Sequence, residues 1–190
     1  QLHENVFLAF RHAIFNVISI SSTTGYATAN FDLWPDLSKL ILLILMLIGG
    51  CAGGTAGAIK VIRILLLIKM GLRELYKIIH PNAIFQIKFN GKIISEEVLH
   101  GISGFYFFYM VTFGVCSLIM LAFGNDFLTS ISSVAATLGG VGPGFSLVGP
   151  MVTYSFLPSI PKIVLCFCML AGRLELFTLF VLFVPSYWKE

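Results

Sequence analysis

The stretch TLGGVGPG at residues 137–144 decides the fold, because it places four glycines directly after a short apolar run. That run, Phe127–Leu138, would form a helix about 18 Å long, whereas crossing a bilayer core takes about 20 residues. Longer apolar segments, Val98–Phe123 and Ile160–Val184, lie on either side of it. The order predicts a spanning helix, a half-crossing helix, a glycine strand and a second spanning helix. The glycine strand is either a pore loop, whose carbonyls line a narrow opening, or an ordinary extracellular turn.

A second copy of this pattern lies near the beginning of the chain. Val6–Ile20 is a short apolar segment with polar interruptions, and SSTTGYAT at residues 21–28 adds hydroxyl groups and a glycine before the next long apolar run. Ser130–Ser133 and Thr137–Gly142 follow the same order of hydroxyl residues and glycine. Two half-crossing helices that each end in glycine favour pore loops over two unrelated turns.

The composition is that of a membrane protein: 57% of the residues are hydrophobic, 11% are charged and the mean hydropathy is +0.94. We therefore predict an all-α polytopic membrane protein built from helix–pore loop–helix units with re-entrant half-helices. The net charge of +3 is small and dispersed, which argues against nucleic-acid binding. The pattern of a signal peptide is not found, and we expect the chain to be the C-terminal part of a longer protein.

The apolar segment Leu37–Ile79 would be about 65 Å long as one helix, roughly twice a bilayer core. The sequence GGCAGGTAG at residues 49–57 interrupts it with five glycines in nine residues. Each interior glycine weakens a helix by about 1 kcal/mol relative to alanine. These glycines indicate either close helix packing or a helix broken at mid-membrane, with a loop beside the transport pathway. A phosphate-binding loop is excluded, because Lys60 lacks the glycine before it and the hydroxyl residue after it.

The charge distribution predicts the orientation of the chain. Basic residues follow the glycine-rich interruption and continue into the connector at residues 80–97, which should be cytoplasmic by the positive-inside rule. Residues 145–158 should then lie outside, and both glycine strands should open outward. Asn90-Gly91, between two short apolar runs, predicts a β-hairpin within the connector.

Two charged residues, Arg173 and Glu175, lie inside the apolar segment Ile160–Val184. An arginine at this depth costs at least about 2.5 kcal/mol unless it faces a partner or water. On a continuous helix, Glu175 would not share a face with Arg173. Arg173 therefore either pairs with another segment, extends to the inner interface, or faces the pore below the filter and repels cations.

Together these motifs resemble the TrkH/TrkG/KtrB superfamily of potassium uptake proteins. The similarity covers nearly the whole chain, and its most specific stretches are residues 48–63, 141–144 and 169–176. The resemblance implies four helix–pore loop–helix repeats around one pore. This chain would then hold the third repeat without its first helix at residues 1–79, a cytoplasmic connector at 80–97 and the complete fourth repeat at 98–190.

The resemblance also implies the functional residues. Those expected to bind K⁺ in the filter are Thr24, Gly25, Tyr26, Gly140, Val141 and Gly142. Those expected to form the intramembrane gate are Gly49, Gly50, Gly53, Gly54, Gly57 and Arg173. The superfamily usually has Asn immediately before Val-Gly-Pro-Gly, where this chain has Gly140, and loss of that side chain would loosen the loop.

The superfamily further implies a multi-pass protein of the cell (inner) membrane, embedded in the lipid bilayer, that forms a homodimer and binds a cytosolic nucleotide-binding regulatory subunit. Neither enzymatic activity nor an organic cofactor is expected. Potassium conduction is the leading hypothesis. An ion-coupled secondary transporter also uses broken helices, although Glu175 is the only candidate carboxylate in the membrane. A non-conducting, truncated half-protein is the third alternative, and it leaves the repeated glycine strands without a purpose.

Overall fold

In the computed structural model of the protein, residues 6–51, 54, 57–81, 83 and 85–188 are described. Their fold is mainly helical, as predicted. The helices are α1 Val6–Ser21, α2 Asp36–Leu47, α3 Val61–Ile79, α4 Glu96–Ala122, α5 Phe127–Gly139, α6 Ser159–Arg173 and α7 Leu176–Val181. Two pairs of two-residue strands join them: β1 Ile48–Gly49 runs parallel to β2 Ile59–Lys60, and β3 Lys88–Phe89 runs antiparallel to β4 Lys92–Ile93.

Helix α5 lies at the centre of the fold. Its N-terminus is capped by Asp126, whose carboxylate accepts a hydrogen bond from the Thr129 amide at 3.2 Å. It ends at Gly140, which adopts the left-handed conformation. From residue 129 onward only Ile131 of this helix is not buried, because α2, α4 and α6 pack around it. Buried hydroxyls bond back into the helix, as between Thr137 Oγ1 and the carbonyl of residue 133 at 2.7 Å.

Helix α4 supplies much of the apolar layer around α5. Tyr109, Cys116 and Met120 of α4 form one buried cluster with Leu138 of α5 and Leu165 of α6. Among the described helices, α4 is the one long and apolar enough to cross a membrane, by length and composition only. The shorter helices α1 and α5 are also apolar. With 16 and 13 residues they are about 24 and 20 Å long, which is shorter than the core of a bilayer, about 30 Å thick.

Both of the other long apolar segments are interrupted. Leu37–Ile79 is broken as predicted, since α2 ends at residue 47 and α3 begins at residue 61. The prediction of one spanning helix over Ile160–Val184 is wrong, because α6 ends at Arg173 and α7 begins only at residue 176. Glu175 lies in this second break with a φ of +56°, which a right-handed helix cannot contain.

The predicted hairpin is confirmed in the connector between α3 and α4. Residues 90 and 91 have φ angles of +48° and +78°, which is the geometry of a two-residue turn of type I′. The turn joins β3 to β4 in antiparallel register. Next to the hairpin, Arg73 of α3 pairs with Glu96, the first residue of α4, so that both ends of the connector are held together.

Candidate functional site: two glycine segments above a glycine-rich loop

The helices α1 and α5 are followed by backbone segments of the same geometry, residues 23–26 (the first glycine segment) and 140–143 (the second glycine segment). The Ser19 carbonyl accepts hydrogen bonds from the amides of residues 24 and 25 at 2.8 and 3.3 Å. The Ala136 carbonyl accepts from the amides of residues 141 and 142, also at 2.8 and 3.3 Å. All equivalent positions are 117 residues apart in the sequence. The repeated sequence pattern therefore corresponds to a repeated backbone conformation.

The two segments also share their left-handed positions. Thr23 and Gly140 have φ angles of +57° and +72°, and Gly25 and Gly142 have φ angles of +80° and +105°. This register pairs Thr23, rather than Thr24, with Gly140. The two predicted sets of filter residues, 24–26 and 140–142, are therefore one position out of register with each other.

The two glycine segments lie side by side. A side chain at Gly25 would overlap the carbonyl oxygen of Val141 and would come within 3.2 Å of the Pro143 ring. Glycine is therefore required at residue 25 by close approach as well as by its positive φ. At Gly142, by contrast, an added Cβ would meet nothing within 4 Å among the described residues. The second segment thus presents one open side.

Gly140, where the resemblance implies asparagine, meets a local backbone requirement. This residue caps α5 in the left-handed conformation, with its amide bonded to the Thr137 carbonyl at 3.1 Å. Asparagine and glycine are the residues that adopt this conformation most readily, so either one meets the backbone requirement. Exchange of Asn for Gly at this position keeps the cap geometry.

Side chains of α5 and the Tyr154 hydroxyl hold the second glycine segment and the residues that follow it. Ser132 Oγ accepts a hydrogen bond from the Phe145 amide at 2.9 Å, and Thr129 Oγ1 accepts one from the Leu147 amide at 3.2 Å. The Tyr154 hydroxyl donates to the Gly142 carbonyl at 2.7 Å. Tyr154 was not among the residues predicted from the sequence. The only sequence signal was an aromatic residue with a polar tip shortly after the glycines.

The glycine-rich loop (residues 49–58) packs against the C-terminal ends of α1 and α5, from which the two glycine segments continue. Its ends are paired in the short parallel sheet of β1 and β2, with Gly49 opposite Lys60. The Gly50 amide bonds to the carbonyl of Ser21 at the end of α1, at 2.9 Å. The Ala58 amide bonds to the carbonyl of residue 139 at the end of α5, at 3.2 Å. Gly53, predicted as a gate residue, lies outside the described residues.

The break between α6 and α7 lies next to the glycine-rich loop and the end of α5. A side chain at Gly172, near the end of α6, would overlap the carbonyl oxygen of Leu138 in α5. Gly57 of the loop is in contact with both helices, since an added Cβ there would lie 2.8 Å from the Gly139 oxygen and 3.4 Å from the Gly172 oxygen. Backbone packs directly on backbone at this point, which leaves no room for side chains.

Glu175 forms an ion-pair cluster, which we call the clasp, with two residues that follow the loop. Its carboxylate oxygens accept hydrogen bonds from Lys60 Nζ at 3.0 Å and from Arg63 Nη2 at 2.9 Å. The Arg63 guanidinium also lies over the Phe105 ring, 4.1 Å from its centre. Glu175 was predicted from the sequence as the only candidate carboxylate in the membrane, and its pairing with these cations was not predicted. The clasp connects the helix break to the downstream end of the loop.

Arg173, the other predicted gate residue, is the last residue of α6 and is exposed. It directly follows Gly172, and therefore lies at the level of the loop and of the end of α5. Among the described residues, no group of three or more His, Cys, Asp or Glu side chains could hold a metal ion.

Comparison with known proteins identifies the relatives of this chain. The family model of the TrkH cation transport proteins matches residues 5–190. The Trk system potassium uptake protein TrkH of Escherichia coli is 40% identical over 190 residues, and the match covers 100% of this chain and 39% of the relative. The Vibrio parahaemolyticus protein of the same name is 43% identical over 182 residues, covering 96% of this chain and 37% of the relative.

The fold matches as well. The crystal structure of the potassium transporter TrkH from Vibrio parahaemolyticus superposes with a TM-score of 0.89 at 42% identity, over 98% of this chain and 39% of that one. The chain thus spans about two fifths of the length of the relatives it matches. Its relatives are transport proteins of membranes and not enzymes. On the family model, the curated relatives and the solved structure together, the chain belongs to the TrkH family of cation transport proteins.

Proposed function

We propose that this chain is part of a potassium-conducting protein, in which the two glycine segments line part of a selectivity filter. The observation that carries the proposal is their shared geometry: two different sequences adopt the same hydrogen bonds and the same left-handed positions, and lie side by side. Such equivalence is expected of repeated units around an axis. Rings of backbone carbonyls are how potassium channels replace the hydration shell of the ion.

The ion-binding residues of this proposal are Thr24, Gly25 and Tyr26 with Gly140, Val141 and Gly142, and the register of the structure adds Thr23 as the counterpart of Gly140. Helices α1 and α5 both end at these segments. The C-terminus of a helix carries a partial negative charge of about half an elementary charge, which favours a cation in the space beneath the filter. No organic cofactor enters this mechanism, since K⁺ is the transported ion.

The gate in this proposal is the glycine-rich loop with Arg173. A cavity of about 510 Å³ lies between the end of α1 and the loop, lined by Ser21, Ser22, Gly50 and Gly54 among others. The loop could withdraw into space of this kind from an obstructing position. Arg173 places a positive charge at the same level, where it raises the barrier for a cation. The clasp at Glu175 holds the downstream end of the loop in place.

The family relationship also supports a proposal for the localisation, orientation and partners of the protein. We propose a multi-pass protein of the cell inner membrane with residues 80–97 in the cytoplasm, assembled as a homodimer and controlled by a cytosolic nucleotide-binding subunit. The segment 1–79 would be the third repeat without its first helix, and 98–190 the fourth. Helix α1 buries only Asn16, Ser19 and Ile20. An apolar groove of about 610 Å³ runs along it and is lined by Phe7, Phe10 and Ile14 among others. This uncovered apolar face supports the proposal that further helices of the complete protein pack beside α1.

The experiment is a flux measurement on the complete protein that contains this chain, reconstituted in liposomes, with K⁺ and Na⁺ compared. Gly142→Ala should lower the K⁺/Na⁺ flux ratio, because a Cβ would enter the open side of the second glycine segment at a φ of +105°. Gly114→Ala is the matched control, since it lies in α4 with nothing within 4 Å of an added Cβ. An unchanged ratio in well-folded Gly142→Ala would make this glycine a turn residue only.

A further inference from the structure

One side chain outside the predicted site is bonded to the second glycine segment. Tyr154 begins the 3₁₀ turn Tyr154–Phe156, and its hydroxyl donates to the Gly142 carbonyl at 2.7 Å. Its ring packs against the main core, which includes the buried Leu157 and Leu165. Burial raises the pKa of Tyr154 above its ordinary value, which keeps the hydroxyl protonated and able to donate at neutral pH.

Gly142 is otherwise weakly held. The hydrogen bond from its amide to the Ala136 carbonyl is long, at 3.3 Å. Its φ of +105° lies outside the range that residues with a side chain readily adopt. On the side of a possible Cβ there is nothing within 4 Å among the described residues. The Gly142 carbonyl belongs to the peptide unit shared with Pro143, whose nitrogen has no hydrogen to donate. Among the described residues, the hydrogen bond from the Tyr154 hydroxyl is the contact that restrains the direction of this carbonyl.

We propose that Tyr154 is a positioning residue for ion selectivity, which restrains the Gly142 carbonyl so that the filter accommodates K⁺ and does not contract around the smaller Na⁺. This inference rests on the proposed function of the second glycine segment. A carbonyl oxygen that accepts a hydrogen bond from a side chain anchored in the core cannot move toward a small ion without losing that bond. Contraction of the ring then costs more, and the cost falls on Na⁺ rather than on K⁺.

The test is Tyr154→Phe in the complete protein, because it removes one oxygen atom and keeps the ring. Tyr109→Phe is the matched control: the Tyr109 hydroxyl is fully buried in the same core and has no hydrogen-bond partner among the described residues. Both variants are compared with wild type and with Gly142→Ala for K⁺ and Na⁺ flux in liposomes. From the typical net contribution of a hydrogen bond we expect the K⁺/Na⁺ ratio of Tyr154→Phe to fall about two- to tenfold. Tyr109→Phe should leave the ratio unchanged.

The outcomes separate this inference from the proposed function. If Gly142→Ala lowers the ratio and Tyr154→Phe does not, the positioning role is wrong and the filter stands. If neither variant lowers it, the filter assignment itself is wrong. An equal decrease in Tyr109→Phe would assign the effect to general loss of packing and would overturn the inference.

A second measurement tests the inference if a variant reconstitutes poorly into liposomes. The melting temperature of wild type should be higher in KCl than in NaCl, and this difference should shrink in Tyr154→Phe. An undiminished difference would contradict the proposal.

Discussion

Replacement of Glu175 by Gln tests whether the clasp holds the gate. The carboxylate joins the break between α6 and α7 to Lys60 and Arg63, which are 115 and 112 residues away in the sequence. Lys60 ends β2, and β2 is paired with the upstream end of the glycine-rich loop. Glutamine keeps the size of the side chain but removes the charge that both cations neutralise. If the loop must leave its place for ions to pass, a weaker clasp should favour the open state.

The exposure of the three side chains sets the magnitude. An exposed ion pair contributes about 0.2–1 kcal/mol, whereas breaking a fully buried pair costs about 3–5 kcal/mol. Glu175 is 45% exposed and its two partners are each 20% exposed, which places both pairs nearer to the exposed case. We take about 0.5–1 kcal/mol for each pair and about 1–2 kcal/mol together. If the clasp is absent in the open state, its loss shifts the gate about five- to thirtyfold toward opening.

The assay is K⁺ flux or single-channel open probability of the complete protein without a regulatory partner. Glu74→Gln is the matched control, because Glu74 forms ion pairs with Arg73 and Lys77 on α3 and makes the same change of charge away from the loop. Glu175→Asp should give an intermediate value, since the shorter side chain reaches fewer partners. Basal flux that stays within twofold of wild type in well-folded Glu175→Gln would refute the reasoning, and so would an equal rise in Glu74→Gln.

Three further predictions use the same structure. Gly25→Ala should reduce the yield of folded protein more than Gly142→Ala, because only the former meets a backbone carbonyl; detergent-stable protein on gel filtration measures this. Asp126→Ala should lower the stability of the protein by about 1 kcal/mol through loss of the α5 cap, seen as a lower melting temperature. Burial opposes ionisation of Asp126, but hydrogen bonds from residue 129 prevail and lower its pKa, so its contribution should vanish as the pH falls through that lowered value. Cysteines placed at Asn90 and Ser146 should react with impermeant reagent from opposite sides of the membrane, and labelling from one side would contradict the orientation.

Local sequence signals predicted those parts of the fold that local chemistry controls. The short helix before residues 137–144, the hairpin at Asn90-Gly91 and the interruption at residues 49–57 all depend on glycine or on segment length, and all three are present. The break at Glu175 was missed, because the residues around it are apolar and continue a helical pattern. Its cause is tertiary, since the partners of Glu175 are Lys60 at the end of β2 and Arg63 on α3. These partners are 115 and 112 residues away in the sequence, so a local sequence pattern cannot predict them.

The register of the two glycine segments was missed for a different reason. Thr24 and Gly140 were predicted as the first residues of the two sets, whereas the equivalent of Gly140 is Thr23 with a φ of +57°. A β-branched residue is rarely left-handed, so no propensity rule would place it there. The neighbouring elements supply the constraint: the Thr23 methyl carbon lies against Gly49 of the loop, 3.1 Å from where a Cβ would be. The surrounding structure thus holds Thr23 in a strained backbone conformation, where the first glycine segment contacts the glycine-rich loop.

The ends of α1, α5 and α6 all lie against the glycine-rich loop. Each helix end leaves carbonyls without partners, which is costly away from water. The loop supplies partners at two of these ends, because the Gly50 amide bonds to Ser21 and the Ala58 amide bonds to Gly139. If the loop withdraws, both carbonyls lose their bonds and must be satisfied by water or by a passing cation. Opening of the proposed gate and hydration of the space below the filter would then be a single event, since neither is favourable without the other.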